Sequence, residues 1–475
     1  MAGVLFLQDN GINESLALCD VAGALRHAGH HCRLLLEDEE RDLDAAIRAF
    51  SPAVVVIPCP VAGATTTAAL ARRARAVLPG ATIALAGTQA TLDPASVARW
   101  PGVDVVVVGE AEEALTELVD RVAADRGWED VPNLAWAAPE GLRQNALRPP
   151  AALDALPMPD RGIYHRYPFI QRFPWKKFAT GRGCVHRCNF CWNTSLRRMY
   201  GTEAFVRRKS PERVIAEILA VTASAPLRHV HFSDDLFTVH PSWIEAFAGL
   251  YRARVGLPFT CNTSVELISP RTVGALASAG CRGVAFGLET ASEPLRVKIL
   301  NKTFSNHEVR AAAALIKGAG MELTTFNMLA SPGETLEDGL ATVALNRAIG
   351  ADHVRVNLAV PLPYTPFEVA AREAGVVAGP DPATLHHPRP VFAPELATEF
   401  LNLYHLFRPA VHHAWLGPLL PRLIRLPTPR LLEALRVLIP VEERRIYRLG
   451  WVDGLRYYRH VGDPHRRTAN YVSLP

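Results

Sequence analysis

Residues 178–194 read FATGRGCVHRCNFCWNT. A short strand-like run, Phe178–Gly181, leads into a loop that carries Cys184, Cys188 and Cys191 in the spacing C-x3-C-x2-C. Three thiolates on one loop can bind three irons of a [4Fe-4S] cluster and leave the fourth iron open to a small molecule. A structural zinc site normally closes with a fourth ligand. His186 lies between the thiols and is poorly placed to be that ligand, so a zinc site would need it or a distant residue. Cys19, Cys32, Cys59, Cys261 and Cys281 stand alone in apolar elements and read as core packing.

Downstream, the strand-like run at Phe178 is the first of six. The others are His229–Ser233, Phe259–Asn262, Gly283–Gly287, Leu323–Met328 and His353–Ala359, with helical runs between them such as Pro211–Thr222 and Asn306–Ala319. Alternating strands and helices predict a partial (β/α)6 TIM-like barrel over 177–375, with its chemistry at the strand C-termini. Those termini are polar. HFSDDLF ends the second strand with Ser233, Asp234 and Asp235, and Asn262, Thr263 and Ser264 end the third. RGVAFGLETAS ends the fourth with Gly287 and Glu289, NMLASPGET follows the fifth, and VPLPYTP follows the sixth. Any one of these small polar residues also reads as a plain strand-end or helix cap.

Upstream, residues 1–125 alternate continuous Val/Ile/Leu strands with helices, which predicts a doubly wound, Rossmann-like parallel sheet. Residues 126–176 are rich in Pro and poor in periodicity and read as a linker. Residues 376–475 read as a small, mainly helical C-terminal region. Within it Leu416–Ile439 sets Arg422, Arg425 and Arg430 among leucines; packing on the barrel explains the pattern, and a membrane-surface helix is the alternative.

The chain has 475 residues, 49% hydrophobic and 21% charged, with 51 Lys and Arg against 47 Asp and Glu. The net charge of +4 gives no argument for nucleic acid. No apolar run approaches the ~20 residues of a membrane span. The N-terminus lacks a basic leader, and the crowded thiols suit a reducing cytoplasm.

The thiol loop, its place after the first barrel strand and Phe190 before the last cysteine resemble the radical S-adenosylmethionine (SAM) superfamily. The resemblance implies a [4Fe-4S] cluster whose open iron chelates SAM. Reduction would then cleave SAM to methionine and a 5′-deoxyadenosyl radical that abstracts hydrogen from a small-molecule substrate. It assigns Cys184, Cys188 and Cys191 to the cluster, and Phe190, Ser233, Asp234, Asp235, Gly287 and Glu289 to SAM. Ahead of the barrel, Ala86–Leu115 resembles the cobalamin-binding domain of class B-like radical SAM enzymes, through Gly87-Thr88-Gln89-Ala90-Thr91 and Gly109-Glu110. That adds cobalamin, with Pro60, Val61, Gly87, Thr88, Gln89, Gly109 and Glu110 as its contacts. Two departures stand out: Gln89 replaces a common His, and no Asp-x-His-x-x-Gly occurs to supply an axial imidazole. Cobalt's lower face would then meet the loop Pro58–Gly63. Cys59 there could ligate it, although a buried spectator thiol is the blander reading.

The combined reading is cobalamin-dependent methylation of an unactivated carbon in natural-product biosynthesis. One alternative is a radical SAM deoxygenase, dehydratase or rearrangement enzyme, for example on a sugar, that keeps the first domain without using cobalamin. The other is a non-enzymatic Fe–S or zinc protein. With no second cysteine cluster, electrons would come from an external flavodoxin- or ferredoxin-type donor.

Overall fold

The structure is a computed structural model that describes residues 1–9, 11, 14–201, 205–373, 392 and 394–427. Five strands form a parallel sheet first: β1 Gly3–Gln8, β2 His31–Leu36, β3 Val54–Pro58, β4 Thr82–Ala86 and β5 Val105–Val107, in the order β2-β1-β3-β4-β5. Val54, Val55 and Ile57 are wholly buried because helices cover both faces. Leu16–His27 and Glu112–Ala123 pack on one face, Leu43–Phe50 and Ala64–Val77 on the other. The strand order reverses beside β1, which opens a crevice at the carboxyl edge.

The segment read as a linker is more than that. β6 Leu134–Ala138 and β7 Gly141–Gln144 run antiparallel and widen the sheet to seven strands. β6 is a short apolar run, LAWAA, set in a Pro-rich stretch, and β7, GLRQ, is largely solvent-facing and carries no apolar run. Further on, Tyr164 and Ile170 join the first core, and Tyr164 Oη donates to Gln8 Oε1 at 2.9 Å.

The second sheet has six parallel strands: β8 Trp175–Phe178, β11 His229–Phe232, β12 Phe259–Thr263, β13 Cys281–Glu289, β14 Glu322–Leu329 and β15 His353–Leu358, in that order across the sheet. A two-residue ribbon, β9 Gly181–Arg182 with β10 Arg207–Arg208, lies between β8 and β11 in the chain. Along β14 burial alternates residue by residue, and β8 shows the same alternation. One face is sealed under helices and the other lines an open concave lumen, so the sheet is a curled half-barrel.

The helices start where their caps dictate. Ser210 and Ser269 cap helices that open on Pro211 and Pro270, while Ser305/Glu308 and Thr335/Asp338 form capping boxes. Beneath them Phe232, Phe247, Tyr251 and Phe259 pack with ring centroids 5.0 to 6.1 Å apart. Each such pair adds about 1 kcal/mol beyond area burial.

The helix Ala397–His412 packs on the barrel, with Phe400, Leu403 and Phe407 wholly buried in the barrel core. Gly339 makes room for it: a Cβ there would sit 2.7 Å from Leu403. Arg422 and Arg425 fall at the end of this packed region, whereas Arg430 and most of the expected 376–475 region lie outside the described residues. Among the described residues no helix is long and apolar enough to cross a membrane.

Candidate functional site

The thiol loop leaves β8 through Thr180, whose amide and hydroxyl donate to Asp234 at 3.0 and 2.6 Å. Gly183 follows the β9 ribbon with a left-handed φ of 85° and lies against the Phe205 carbonyl, so no side chain fits there. The loop carbonyls are then occupied in turn. Arg197 donates to Val185 O (2.8 Å), Asn301 Nδ2 to Arg187 O (2.7 Å), Thr194 Oγ1 to Cys188 O (2.9 Å) and the Phe367 amide to Asn189 O (3.0 Å).

With the backbone satisfied, the loop offers its thiols. Cys184, Cys188 and Cys191 are free and half-buried. Burial pushes Cys184 and Cys191 up to about 12 and raises Cys188 too, so metal charge is what would turn them into thiolates. His186 shares a 2.9 Å hydrogen bond with Ser264 on the β12 side. Among the described residues no three His, Cys, Asp or Glu converge on one ion position. A [4Fe-4S] cube takes one thiolate per iron, which suits donors spread along a loop better than a shared zinc does.

The strand ends divide the expected SAM residues into two groups. Asp234 is committed to Thr180, and the Ser233 amide and hydroxyl donate to Phe178 O at 2.8 and 3.3 Å, so both clamp β11 to β8. Asp235 points the other way: it accepts from Asn193 Nδ2 at 2.7 Å and its charge acts on Cys184 and Cys191. Burial pushes Asp235 up to about 7. Glu289 has a left-handed φ of 64°, beside a bulge in β13. Its carboxylate takes Lys302 Nζ at 2.8 Å, and the same ammonium reaches Gly287 O at 2.9 Å. The pair lies over Gly287, whose missing Cβ leaves the space. Lys302 also sits 5.9 Å from the centre of the Phe190 ring, and Cys188 and Glu289 both help hold it protonated against burial. Glu289, Phe190 and the thiol loop therefore share one rim.

Lys302 was invisible to sequence reasoning. It is one lysine in an irregular stretch, and only the fold brings it back over the fourth strand end.

In the first domain, the residues expected to meet cobalamin cluster at the carboxyl edge of the sheet. Gly87, at φ 140°, crosses the backbone of Cys59; a Cβ would lie 2.8 Å from its carbonyl oxygen. Cys59 is sealed, its amide donating to Ala86 O at 2.7 Å, and burial pushes its thiol up to about 12. Val61 is wholly buried, while Pro60 and Thr88 are half-buried.

Gly109 lies against the Tyr200 hydroxyl, which accepts from the Glu110 amide at 3.0 Å. The Glu110 carboxylate bridges to Arg182 and Arg207, which outweigh burial and hold it below the usual carboxylate range. In this structure both glycines accommodate protein atoms.

The two domains meet at Tyr364 in the loop after β15. Gln89 Nε2 donates to its hydroxyl at 2.9 Å, and that hydroxyl donates to Asp93 at 2.8 Å. The thiol-loop helix Asn193–Tyr200 grips the same loop: Ser195 Oγ donates to Tyr364 O, and just before the helix Trp192 Nε1 donates to Pro363 O at 2.9 Å. The Gly87 turn and the thiol loop thus face one seam.

A covered α/β sheet joined to a parallel half-barrel with three thiols after its first strand defines a two-domain cluster-and-cofactor architecture. Residues 178–345 match the radical SAM superfamily, and residues 4–119 match the B12 binding domain. The chain is 25% identical over 328 residues to an uncharacterized methyltransferase of Pyrococcus horikoshii, covering 68% of this chain and 70% of that one. It is 22% identical to the cytidylyl-2-hydroxyethylphosphonate methyltransferase of Streptomyces wedmorensis, covering 62% of each chain. Among solved structures, the radical SAM methyltransferase TsrM of Kitasatospora setae, bound to tryptophan and a SAM analogue, superposes with a TM-score of 0.64. That match is 17% identical and covers 79% of this chain and 77% of the other.

Proposed function

We propose that this chain is a radical SAM methyltransferase that uses cobalamin to methylate an unactivated carbon of a small molecule in natural-product biosynthesis. The observation that carries the reading is the strap at Tyr364, which ties the thiol-loop helix to the Gly87 turn of the B12 binding domain. It sets the two halves of a methyl-transfer site against one space, where orientation supplies much of the rate. Two of the relatives are methyltransferases by name, which supports the same reading.

When bound, the cluster with SAM supplies hydrogen abstraction and cobalamin supplies a methyl carrier. The chain's own residues supply placement. Cys184, Cys188 and Cys191 hold the cluster. Glu289, fixed by Lys302, accepts from the polar groups of SAM, Phe190 walls the same rim, and Asp235 orients the loop through Asn193. Ser233 and Asp234 fix the strand ends beneath. Pro60, Val61, Gly87, Thr88, Gln89, Gly109 and Glu110 would form the cobalamin side. The electron donor is a separate flavodoxin- or ferredoxin-type protein, and the cytoplasm suits the reduced thiols.

A second reading, radical deoxygenation or rearrangement without cobalamin, is favoured by one observation: Tyr200 and Cys59 occupy the space beside the two turn glycines. Anaerobic reconstitution with iron, sulfide and hydroxocobalamin separates the two. Cobalamin that survives desalting, seen in the optical spectrum, and a product carrying one labelled methyl from methyl-labelled SAM support methyl transfer. Protein that loses cobalamin yet forms 5′-deoxyadenosine and a product short of water or oxygen overturns it.

A further inference from the structure

The helix that follows the thiol loop reaches both glycine turns of the first domain. It runs over Asn193–Tyr200 and starts two residues after Cys191. At its start, Trp192 Nε1 donates to Pro363 O at 2.9 Å and Ser195 Oγ donates to Tyr364 O. At its end, the Tyr200 hydroxyl accepts from the Glu110 amide at 3.0 Å. Order in the thiols is therefore passed along one short helix to the Gly87 side and to the Gly109 side.

Tyr364 carries the first of these contacts across the seam. Its φ of 65° is left-handed, a conformation that a bulky side chain adopts only where its surroundings impose it. Four polar contacts impose it here. The amide donates to Glu368 Oε2 at 2.9 Å, and the carbonyl accepts from Ser195. The hydroxyl accepts from Gln89 Nε2 at 2.9 Å and donates to Asp93 Oδ2 at 2.8 Å. Burial pushes the phenol up to about 12, so the hydroxyl keeps the proton that it donates.

Gln89 and Asp93 bracket the short helix Thr88–Leu92 that opens at Gly87. The Gln89 amide donates to Cys59 O and the Asp93 amide to Gln89 O, both at 2.9 Å. Thr91 in the same helix accepts from the Gly109 amide at 3.0 Å. The bracket thus holds the second turn as well. Thiol-loop helix, Tyr364, Gln89 and the two turns form one connected run of hydrogen bonds between two packed domains.

Each end of that run is a seat for a cofactor. Thiols held by three irons fix the first turn of the helix, and turns held against a corrin fix Gln89. A link already ordered from one end loses less freedom when it is ordered from the other, which makes binding at the two ends cooperative.

We propose that Tyr364 is a positioning residue that couples the two seats, so that the cluster-loaded chain binds cobalamin more tightly than the cluster-free chain does. By linkage, cobalamin then stabilises the bound cluster by the same factor. The proposal rests on the cobalamin reading and adds to it how one seat senses the other.

Hydroxocobalamin titrated into the anaerobic full chain, with and without the reconstituted cluster and with no SAM present, measures the coupling as a ratio of two dissociation constants. The ratio is expected at about tenfold, inside the usual span for coupled sites. In Y364F, which keeps the ring and removes the hydroxyl, the ratio should collapse toward unity. S195A cuts the same link from the helix side, touches neither turn, and should lower the ratio too. A residue that served structure alone would weaken cobalamin equally in both states and leave the ratio in place. Unfolding curves establish that both variants fold.

Cobalamin that binds equally well with and without the cluster overturns the proposal and leaves the cobalamin reading standing. A ratio unchanged in folded Y364F and S195A does the same. Cobalamin that binds in neither state overturns the reading itself, and the proposal with it.

Discussion

Asp234 and Asp235 are adjacent acids with unlike surroundings. Both lie just past the end of β11, where Asp234 closes onto Thr180 and Asp235 turns toward Asn193 and the thiols. The sequence shows two acids at a strand end and cannot say which faces the cluster, because that depends on where the strand stops. The thiols themselves are legible, since their spacing is local. C188A should abolish reductive SAM cleavage with the unfolding curve little changed; 5′-deoxyadenosine formation above background would remove Cys188 from the cluster.

Lys302 and Glu289 offer a sharper residue-scale test, since both ends of the pair are nearly buried. K302M strands a buried carboxylate and should cost about 3–5 kcal/mol in denaturant unfolding. E289Q/K302M together should recover more than half of that. A double variant as unstable as K302M alone would mean that the lysine acts through packing rather than charge.

At the scale of elements, the parallel strands of the first sheet were readable because burial on both faces leaves unbroken apolar runs such as Val54–Ile57. β6 and β7 were not, because β6 is only five residues long in a Pro-rich stretch and β7 is polar and half exposed. The turn after β14 holds a titratable group. Glu334 accepts from the Ser331 amide at 2.8 Å through one oxygen, while its other oxygen is buried without a partner, and burial pushes it up to about 8 from 4.5. Between those values the folded chain holds a proton that the unfolded chain has lost, so stability falls as pH rises through the window. E334Q removes this term. Its stability should fall less from pH 5 to pH 8 than that of the unaltered chain, by on the order of 2–4 kcal/mol. Parallel stability-against-pH curves would rule the assignment out.

The Gly109 turn is a second element-scale case. G109A places a methyl against Tyr200 at a left-handed φ of 86° and should cost about 2–3 kcal/mol. Y200F in the same chain should return part of it, and an additive double variant would show that the tyrosine is not what confines the glycine.

At the scale of the whole molecule, Arg182 links the thiol-loop ribbon to three carboxylates of the first domain, Asp20, Glu110 and Glu112. R182M leaves those acids facing one another at the seam and should cost about 3–5 kcal/mol. It should also split a single thermal transition into two, one per domain; an unchanged single transition would assign the coupling to Tyr364 and apolar contact instead. None of this seam was legible beforehand, because each partner is an ordinary surface-type residue until two domains are docked. The helix Ala397–His412 carries a consequence for synthesis. All six barrel strands have been made by residue 358, yet Phe400, Leu403 and Phe407 belong to the same core. A nascent chain that ends before them holds a finished sheet with an uncovered oily flank, so it depends on the ribosome's pace and on chaperone cover until that helix emerges.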